Sequence, residues 1–555
     1  MRMKKLETQE NMEILDDMNS LTQNDADNEH REIQQSISKI PRMLRRLAPH
    51  NKTGTKENTN CQSSLITETQ REELQAKLEE LNKLDSYDVF ELVEDQGQQA
   101  VSCKWLIKRK DDKMKARLVA RGFEENFQDR KDSPTCTRES LRITFAIAAT
   151  MGWTINTMDI SSAFLQGNVM ERQVFIKPPK ESRSEGKLWR LKRCLYGLVD
   201  APREWYQRVS REMMQLGGRK SLYDKCLFVW HDKDSKELTG ILVAHVDDFQ
   251  YCGNTSFQKV INRLKEIFKI SNEEQSNYRY IGVNVRQEGD MTIKIDQNDY
   301  CKDLKEIPIQ TSRKLQANST LTEEEKAQLK STAGKIQWAT SQTRPEMAYH
   351  TCQVSNSGKN PCVKLLNDAN KTVRKLKLES TELTYPPLGN TQKLTVVVYA
   401  DGSHASLPSG GSQGGCIVFL VGDNGNAAPI AWRSKRIDRV TKSPLATEIS
   451  AVADGSDVGF LVASMVKEIF ELREVPVIQV RTDSKSLRDH LGTDKVIKDP
   501  RLRVDVARLR QMVDMGELVV TWVPGNKQLA DCLTKRGAPN DMLKACLSSG
   551  VLPCE

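Results

Sequence analysis

Aromatic side chains are missing from the first 66 residues: the first Phe, Trp or Tyr of the 555-residue sequence is Tyr87. A segment that polar buries too little surface to offset the entropy of ordering it, so residues 1–66 are expected to be disordered. The 13 cysteines include no C-x-x-C pair, and the seven histidines stand out of zinc-ligand spacing with them. That excludes a zinc module and makes reduced, intracellular thiols the default. No unbroken apolar run approaches the roughly 18 residues of a membrane span, and the amino-terminal MRMKKLETQENMEIL lacks the apolar core of a signal peptide. The expectation is a soluble protein that is not secreted. Charge of one sign is scarcely in excess: 83 Lys and Arg against 75 Asp and Glu leave +8, which suits a nucleic-acid binder without deciding for one. A hydrophobic content of 38% over this length permits several domains with real cores.

What is present centres on ILVAHVDDFQYCG, Ile241 to Gly253. Apolar β-formers flank Asp247 and Asp248, so two strands present a pair of acids at their joint. An isolated Asp-Asp is commonly just a solvated turn. Upstream, Trp153 to Met158 reads as an extended run that ends at Asp159, a third carboxylate at a strand end. Three converging acids can hold two divalent cations about 4 Å apart, the arrangement that stabilises attacking and leaving oxygens in nucleotidyl transfer.

These residues carry a resemblance to the polymerase of copia-type LTR retrotransposons. KARLVARGF (Lys115 to Phe123), MDISSAFLQG (Met158 to Gly167), LYGLVDAPREW (Leu195 to Trp205) and HVDDF (His245 to Phe249) follow in the family's order. YIGVNV (Tyr280 to Val285), QTRPEMAY (Gln342 to Tyr349) and QLADCLTK (Gln528 to Lys535) come after them. The resemblance implies a reverse transcriptase, with Asp159, Asp247 and Asp248 as catalytic metal ligands. It places the basic stretch Lys104 to Arg121 in the fingers, with Lys115, Arg117 and Arg121 meeting the incoming triphosphate or template; a charged, exposed hairpin is the generic alternative. Phe164 resembles the aromatic that stands under the sugar and excludes a 2′-hydroxyl, where core packing is the plain alternative. Gly197 resembles the point of close backbone approach to the nascent base pair. The sequence departs from the family at Val199-Asp200, usually a basic residue and an amide, and at His245, usually Tyr.

The tail is expected to be a second catalytic domain. A strand from Leu394 ends near Asp401, a helix beginning at Ser443-Pro444 carries Glu448, Asp483 lies just past the strand Val477 to Val480, and Asp531 is placed in a closing helix. Three strands, helix, strand, helix, strand, helix is an order that resembles the ribonuclease H fold, and the resemblance makes Asp401, Glu448, Asp483 and Asp531 a second two-metal site. The expected fold class is therefore α/β (α+β), fingers, palm and thumb followed by a ribonuclease H-like domain. The expected layout is 1–66 disordered, 67–310 reverse transcriptase, 311–390 helical thumb or connection with a Pro-Pro linker, 391–540 ribonuclease H-like and 541–555 a tail. Mg²⁺ or Mn²⁺, two per site, is the implied cofactor. RNA template, DNA primer, RNA–DNA hybrid and dNTPs are the implied partners, with no membrane and the oligomeric state open. Location is expected to be cytoplasmic, in virus-like particles, with access to the nucleus. With neither a protease triad nor an integrase acid set before residue 70, the chain resembles only the carboxy-terminal part of a polyprotein. The rival readings are a catalytically silent element remnant that binds nucleic acid, and a ribonuclease H alone.

Overall fold

The structure is a computed structural model that describes residues 67–110, 112–356, 360–493 and 499–553; the expectation for residues 1–66 lies outside them. The chain divides into two compact units, one of residues up to 133 with 162–209, the other of 134–161 with 210 onward.

In the first unit a helix, Glu68–Ser86, starts at a capping box. Its members are Thr67 and Gln70, not Thr69 and Glu72 as the spacing suggests: Gln70 N–H donates to Thr67 Oγ1, and Gln70 Oε1 accepts from Thr67 N–H. Glu72 instead pairs with Arg109, a partner that local spacing does not reveal. Leu81 and Leu84 face a core with Leu118, Leu195 and Trp189, whose ring stacks 3.8 Å from Phe90. The basic stretch forms the antiparallel ribbon Cys103–Lys110 and Lys113–Ala120, closed by the pair Lys110 and Lys113. Its inner end buries Leu118 and Ala120, while Lys115 and Arg117 are exposed.

The second unit opens with helix Arg138–Met151, capped by Thr137 and stopped by Gly152 in the left-handed region. Behind it lies a six-stranded antiparallel sheet in the order Ile270–Gln275, Asn156–Ile160, Asp248–Gly253, Leu238–His245, Leu227–His231, Arg219–Lys220. Helix Thr255–Ile267 follows, as its apolar spacing predicts. Within the region expected to be helical, the apolar spacing of 322–354 suggests one helix, and the chain forms two, Glu323–Gln342 and Ala348–Ser355. Pro345 lacks the N–H that continuation needs, and Arg344 turns inward to a buried pair with Glu346 at 2.6 Å.

Leu383–Tyr385, at the start of the segment read as a linker, is a strand that pairs with Ile293–Asp296. Tyr385 is fully buried with its ring 5.4 Å from Phe145, and Leu388 is buried too. Pro-Pro composition signals a break in regular structure but says nothing of burial. One hydrophobic core consequently runs from Phe145 through Val285 and Tyr385 to Val398 and Phe419.

The tail forms a five-stranded sheet ordered Ala427–Arg436, Gln413–Val421, Thr395–Ser403, Ile478–Thr482, Leu518–Trp522. The first three strands are antiparallel and the last two run parallel to Thr395–Ser403. This is the ribonuclease H-like arrangement expected from the element order. Helix Pro444–Phe470 packs across it. By length and composition that helix could cross a membrane, but 72% of its most apolar window is buried, as in a core helix.

Arg142 ties these parts together. Its guanidinium is fully buried, lies 3.6 Å above the Trp432 ring and donates to Ile430 O at 2.9 Å, Ser341 O at 2.6 Å and Gln342 O at 3.2 Å. Ser341 and Gln342 end a helix, where carbonyls lack intrahelical partners and the dipole favours a cation. Ile430 sits at a register shift in its ladder, which frees its carbonyl. Burial pulls the guanidinium down to about 10, still protonated at neutral pH. Arg142→Met keeps the apolar stem but orphans these carbonyls, and is expected to cost about 3 kcal/mol, read as a lower midpoint in urea unfolding of the full chain.

Candidate active sites

The first site is built at the strand ends of the six-stranded sheet, on three of its inner strands. His245 and Asp248 close the hairpin as Cα partners, leaving Val246-Asp247 as its two-residue loop. Val246 has φ +60, a left-handed conformation unfavourable for a β-branched residue. Strain of that kind persists where the surroundings over-determine it and clusters at functional sites. Asp248 is also the cross-strand partner of Asp159, and Ile160 N–H donates to Asp247 O at 2.9 Å, so hairpin and strand lock all three acids onto one sheet end. Burial raises the Asp248 carboxyl to about 6, with Asp247 and then Asp159 adding repulsion. His245, half-buried at the same end, is lowered chiefly by burial.

Two supports were not singled out from the sequence. Tyr280, from YIGVNV, donates its hydroxyl to Asp248 O at 3.1 Å. Ser271, on the neighbouring strand, donates to the Asp159 carboxylate. Both contacts join residues far apart in sequence, and only the tyrosine's place in a quoted motif hinted at a role.

In the first unit three of the five candidate nucleotide-binding residues, Arg117, Phe164 and Gly197, gather at Tyr196. Arg117 lies 4.4 Å over the Tyr196 ring, Phe164 meets that ring edge-on at 5.6 Å, and Gly197 is its chain neighbour. Lys115 stands two residues along the exposed ribbon, and Arg121 ends it beside Glu124 at 3.9 Å. Gly197 has φ +88, and a Cβ there would lie 2.2 Å from Ala120 O, so the glycine is required by the protein's own backbone. Asp200, where the family differs, is buried and accepts two 2.7 Å bonds from Arg172, which also reaches Glu125 at 2.7 Å. The departure is thus an anchor for the loop, with one guanidinium shared by two carboxylates.

The second site gathers all four expected acids. Asp401 is fully buried in Thr395–Ser403; Asp483 follows Ile478–Thr482 on the adjacent parallel strand. Asp531 opens the short 3₁₀ turn Asp531–Leu533 and not the closing helix, which is Asp541–Ser549. The sequence Asp-Cys-Leu-Thr-Lys has helical spacing but too few residues before Gly537 and Pro539 to extend it. Oxygens of Asp401, Asp483 and Asp531 all lie within 4.8 Å of one another, the one such trio of acids among the described residues. Glu448 comes from the helix, whose start is brought in close because a Cβ on Gly402 would stand 2.8 Å from Thr447 O. Glu448 Oε2 is buried with no hydrogen-bond partner among the described residues, and burial, with Asp401 and Asp483 behind it, pushes this carboxyl up to about 9. Asp483 and Asp531 are raised as well, first by burial. An orphaned buried oxygen beside three crowded acids fits a divalent cation, which removes both the repulsion and the unmet acceptor.

Backbone supports fix this geometry. Gln528 Nε2 donates to Ala400 O at 3.1 Å and Arg481 O at 3.4 Å, and Trp522 Nε1 donates to Asp483 O at 3.0 Å. Thr534 donates to Asp401, while Lys535 Nζ lies 2.6 Å from Asp531 Oδ1 and 3.3 Å from Asp401 Oδ1.

Residues 87–315, which hold the first site, match the family model of reverse transcriptase (RNA-dependent DNA polymerase). The chain is 26% identical over 468 residues to the retrovirus-related Pol polyprotein from transposon RE1 of Arabidopsis thaliana, covering 78% of this chain and 30% of the relative. It is 25% identical over 509 residues to that from transposon TNT 1-94 of Nicotiana tabacum, covering 85% and 37%. Over most of its length this chain is similar to copia-type retrotransposon Pol polyproteins. It spans about a third of the length of the curated relatives it matches. Among solved structures, a foamy viral protease-reverse transcriptase in complex with RNA/DNA hybrid aligns with 84% of this chain and 55% of its own, at 13% identity and TM-score 0.45.

Proposed function

We propose that this chain is an RNA-directed DNA polymerase whose tail cleaves the RNA strand of an RNA–DNA hybrid. The observation that carries the reading is the register of Asp248 with Asp159 at the joint of a strained hairpin, inside the segment matched by the reverse transcriptase family. Divalent metal, Mg²⁺ or Mn²⁺ and two per site, would supply charge neutralisation at the transferring phosphate and activate the attacking hydroxyl.

Asp159, Asp247 and Asp248 would hold the polymerase metals; the reading is supported by the ladder that pairs Asp248 with Asp159, next to the hairpin loop that carries Asp247. Lys115, Arg117 and Arg121, on the exposed ribbon, would neutralise a triphosphate or template backbone. Phe164, braced edge-on by Tyr196, would present a rigid ring to the sugar and reject the 2′-hydroxyl of a ribonucleotide. Asp401, Glu448, Asp483 and Asp531 would hold the metals for hydrolysis, with water as the attacking group. RNA template, DNA primer, dNTPs and the hybrid product are the proposed partners.

The test is primer extension by the full chain on poly(rA) with an oligo(dT) primer and dTTP, followed by release of RNA fragments from a labelled hybrid. Both activities are expected with Mg²⁺ or Mn²⁺ and neither in EDTA. Absence of extension under every metal condition, with the protein folded, would overturn the polymerase reading.

A further inference from the structure

The four acids of the tail are faced by a cation that belongs to the chain. Lys535 N–H donates to Asp531 O at 3.0 Å, closing one turn that brings Lys535 Nζ 2.6 Å from Asp531 Oδ1 and 3.3 Å from Asp401 Oδ1. Thr534 takes the other oxygen of Asp401, so both oxygens of that buried carboxylate are engaged by adjacent residues of one turn. Lys535 is also the cation whose charge reaches Glu448, Asp483 and Asp531 alike. The three aspartates of the trio outnumber the ammonium that faces them, so the pocket keeps excess negative charge, and the ammonium grips oxygens of two of the three.

We propose that Lys535 is a built-in counter-cation of the hybrid-cleaving site: it holds Asp401 and Asp531 together in the metal-free protein and withdraws from them when a divalent ion binds, thereby setting the metal concentration at which the site loads. The inference rests on the reading of this cluster as a metal site. Two requirements of such a residue are met. The lysine side chain is 40% exposed, so its flexible stem has open space into which to swing, and its compact charge ends in rotatable donors that let go one at a time. A divalent ion sharing those oxygens would stand a few ångströms from the ammonium, so repulsion between like charges opposes simultaneous occupancy. Lys535 therefore opposes loading, while the acids favour it.

The experiment uses the full chain at fixed pH and ionic strength, with an Asp247→Asn background to weaken the other site, and Mn²⁺ as the probe. Binding is followed by isothermal titration and by the thermal midpoint with and without the ion. Lys535→Met, which keeps the stem and removes the charge, is expected to lower the midpoint in EDTA. It should bind Mn²⁺ about tenfold more tightly and gain more stability from it, because a repelling charge is gone. Lys535→Arg should retain the EDTA midpoint, which separates loss of charge from a packing defect. Unchanged or weaker Mn²⁺ binding by Lys535→Met, with Asp483→Asn abolishing that binding, would overturn the counter-cation role and leave the metal site standing. If Asp483→Asn leaves the Mn²⁺ isotherm of the parent unaltered, the cluster is not a metal site and both readings fall.

Discussion

Replacing Asp248 with Asn is expected to stop primer extension while hybrid cleavage continues at the parental rate. Asparagine has the shape of aspartate, and the Asp248 backbone is held by its ladder to Asp159 and by Tyr280, so the hairpin should survive. What is lost is one charge of the proposed metal site. Removing it should take several kcal/mol from transition-state stabilisation, on the order of a thousandfold in rate at 1.36 kcal/mol per decade. The acids of the tail gather around a different sheet and are untouched by the change. A stability measurement in EDTA gives a second check. Burial and two like charges raise Asp248 to about 6, so its ionised form is disfavoured in the folded state. For a raised carboxyl the stabilising contribution is present below the unfolded value near 3.9 and is lost as pH rises through about 6. At pH 7.5 the ionised parent therefore carries a penalty that Asn lacks. After discounting for solvent screening at this partly exposed site, Asp248→Asn should unfold about 1 kcal/mol later than the parent. Near-normal extension, or a clearly less stable variant, would contradict the assignment of Asp248.

Much of this was readable because strand alternation and motif spacing report which residues share an end of an element. Asp159 at the end of an extended run and Asp247-Asp248 between two apolar strands require only local pattern, and the same holds for Asp401 and Asp483. What local pattern cannot report is the partner across space. Arg142 reads as an ordinary basic residue in an apolar helix, yet it caps a helix about 200 residues away in sequence and answers a carbonyl freed by a register shift near residue 430. Tyr385 was assigned by its two proline neighbours, and its burial follows from a strand pairing that proline content does not exclude. The capping box moved by one reading frame of two residues because both Thr67-Gln70 and Thr69-Glu72 are good caps, and Glu72 found a salt bridge instead. Asp200, which departs from the family pattern, makes sense only beside Arg172 and Glu125.

The same logic of position makes Asp483→Asn the sharper test of the tail. Cleavage of the RNA strand in a hybrid should fall by about a thousandfold, on the same conversion of a lost ligand to rate, while extension on the same template stays near the parental level. Asp401 and Asp483 end adjacent parallel strands, whose ladder pairs Tyr399 with Arg481, so their carboxylates project from one sheet edge. With Asp531 their oxygens fall within 4.8 Å, and Glu448 adds a buried oxygen that has no hydrogen-bond partner among the described residues. Asn at 483 preserves the amide-to-indole support, since Trp522 bonds the main-chain oxygen and not the carboxylate. The substitution thus removes charge without removing the strand end. Glu448→Gln supplies the complementary result: a neutral amide in a place that pushes the carboxyl up to about 9 removes the penalty the parent carries at neutral pH, so EDTA stability should be no lower than the parent's while cleavage fails. The pair separates a missing ligand from a damaged fold, because each variant keeps its shape and loses only the capacity to hold a cation. Parental cleavage by Asp483→Asn would reassign the tail from a nuclease to a domain that grips the duplex.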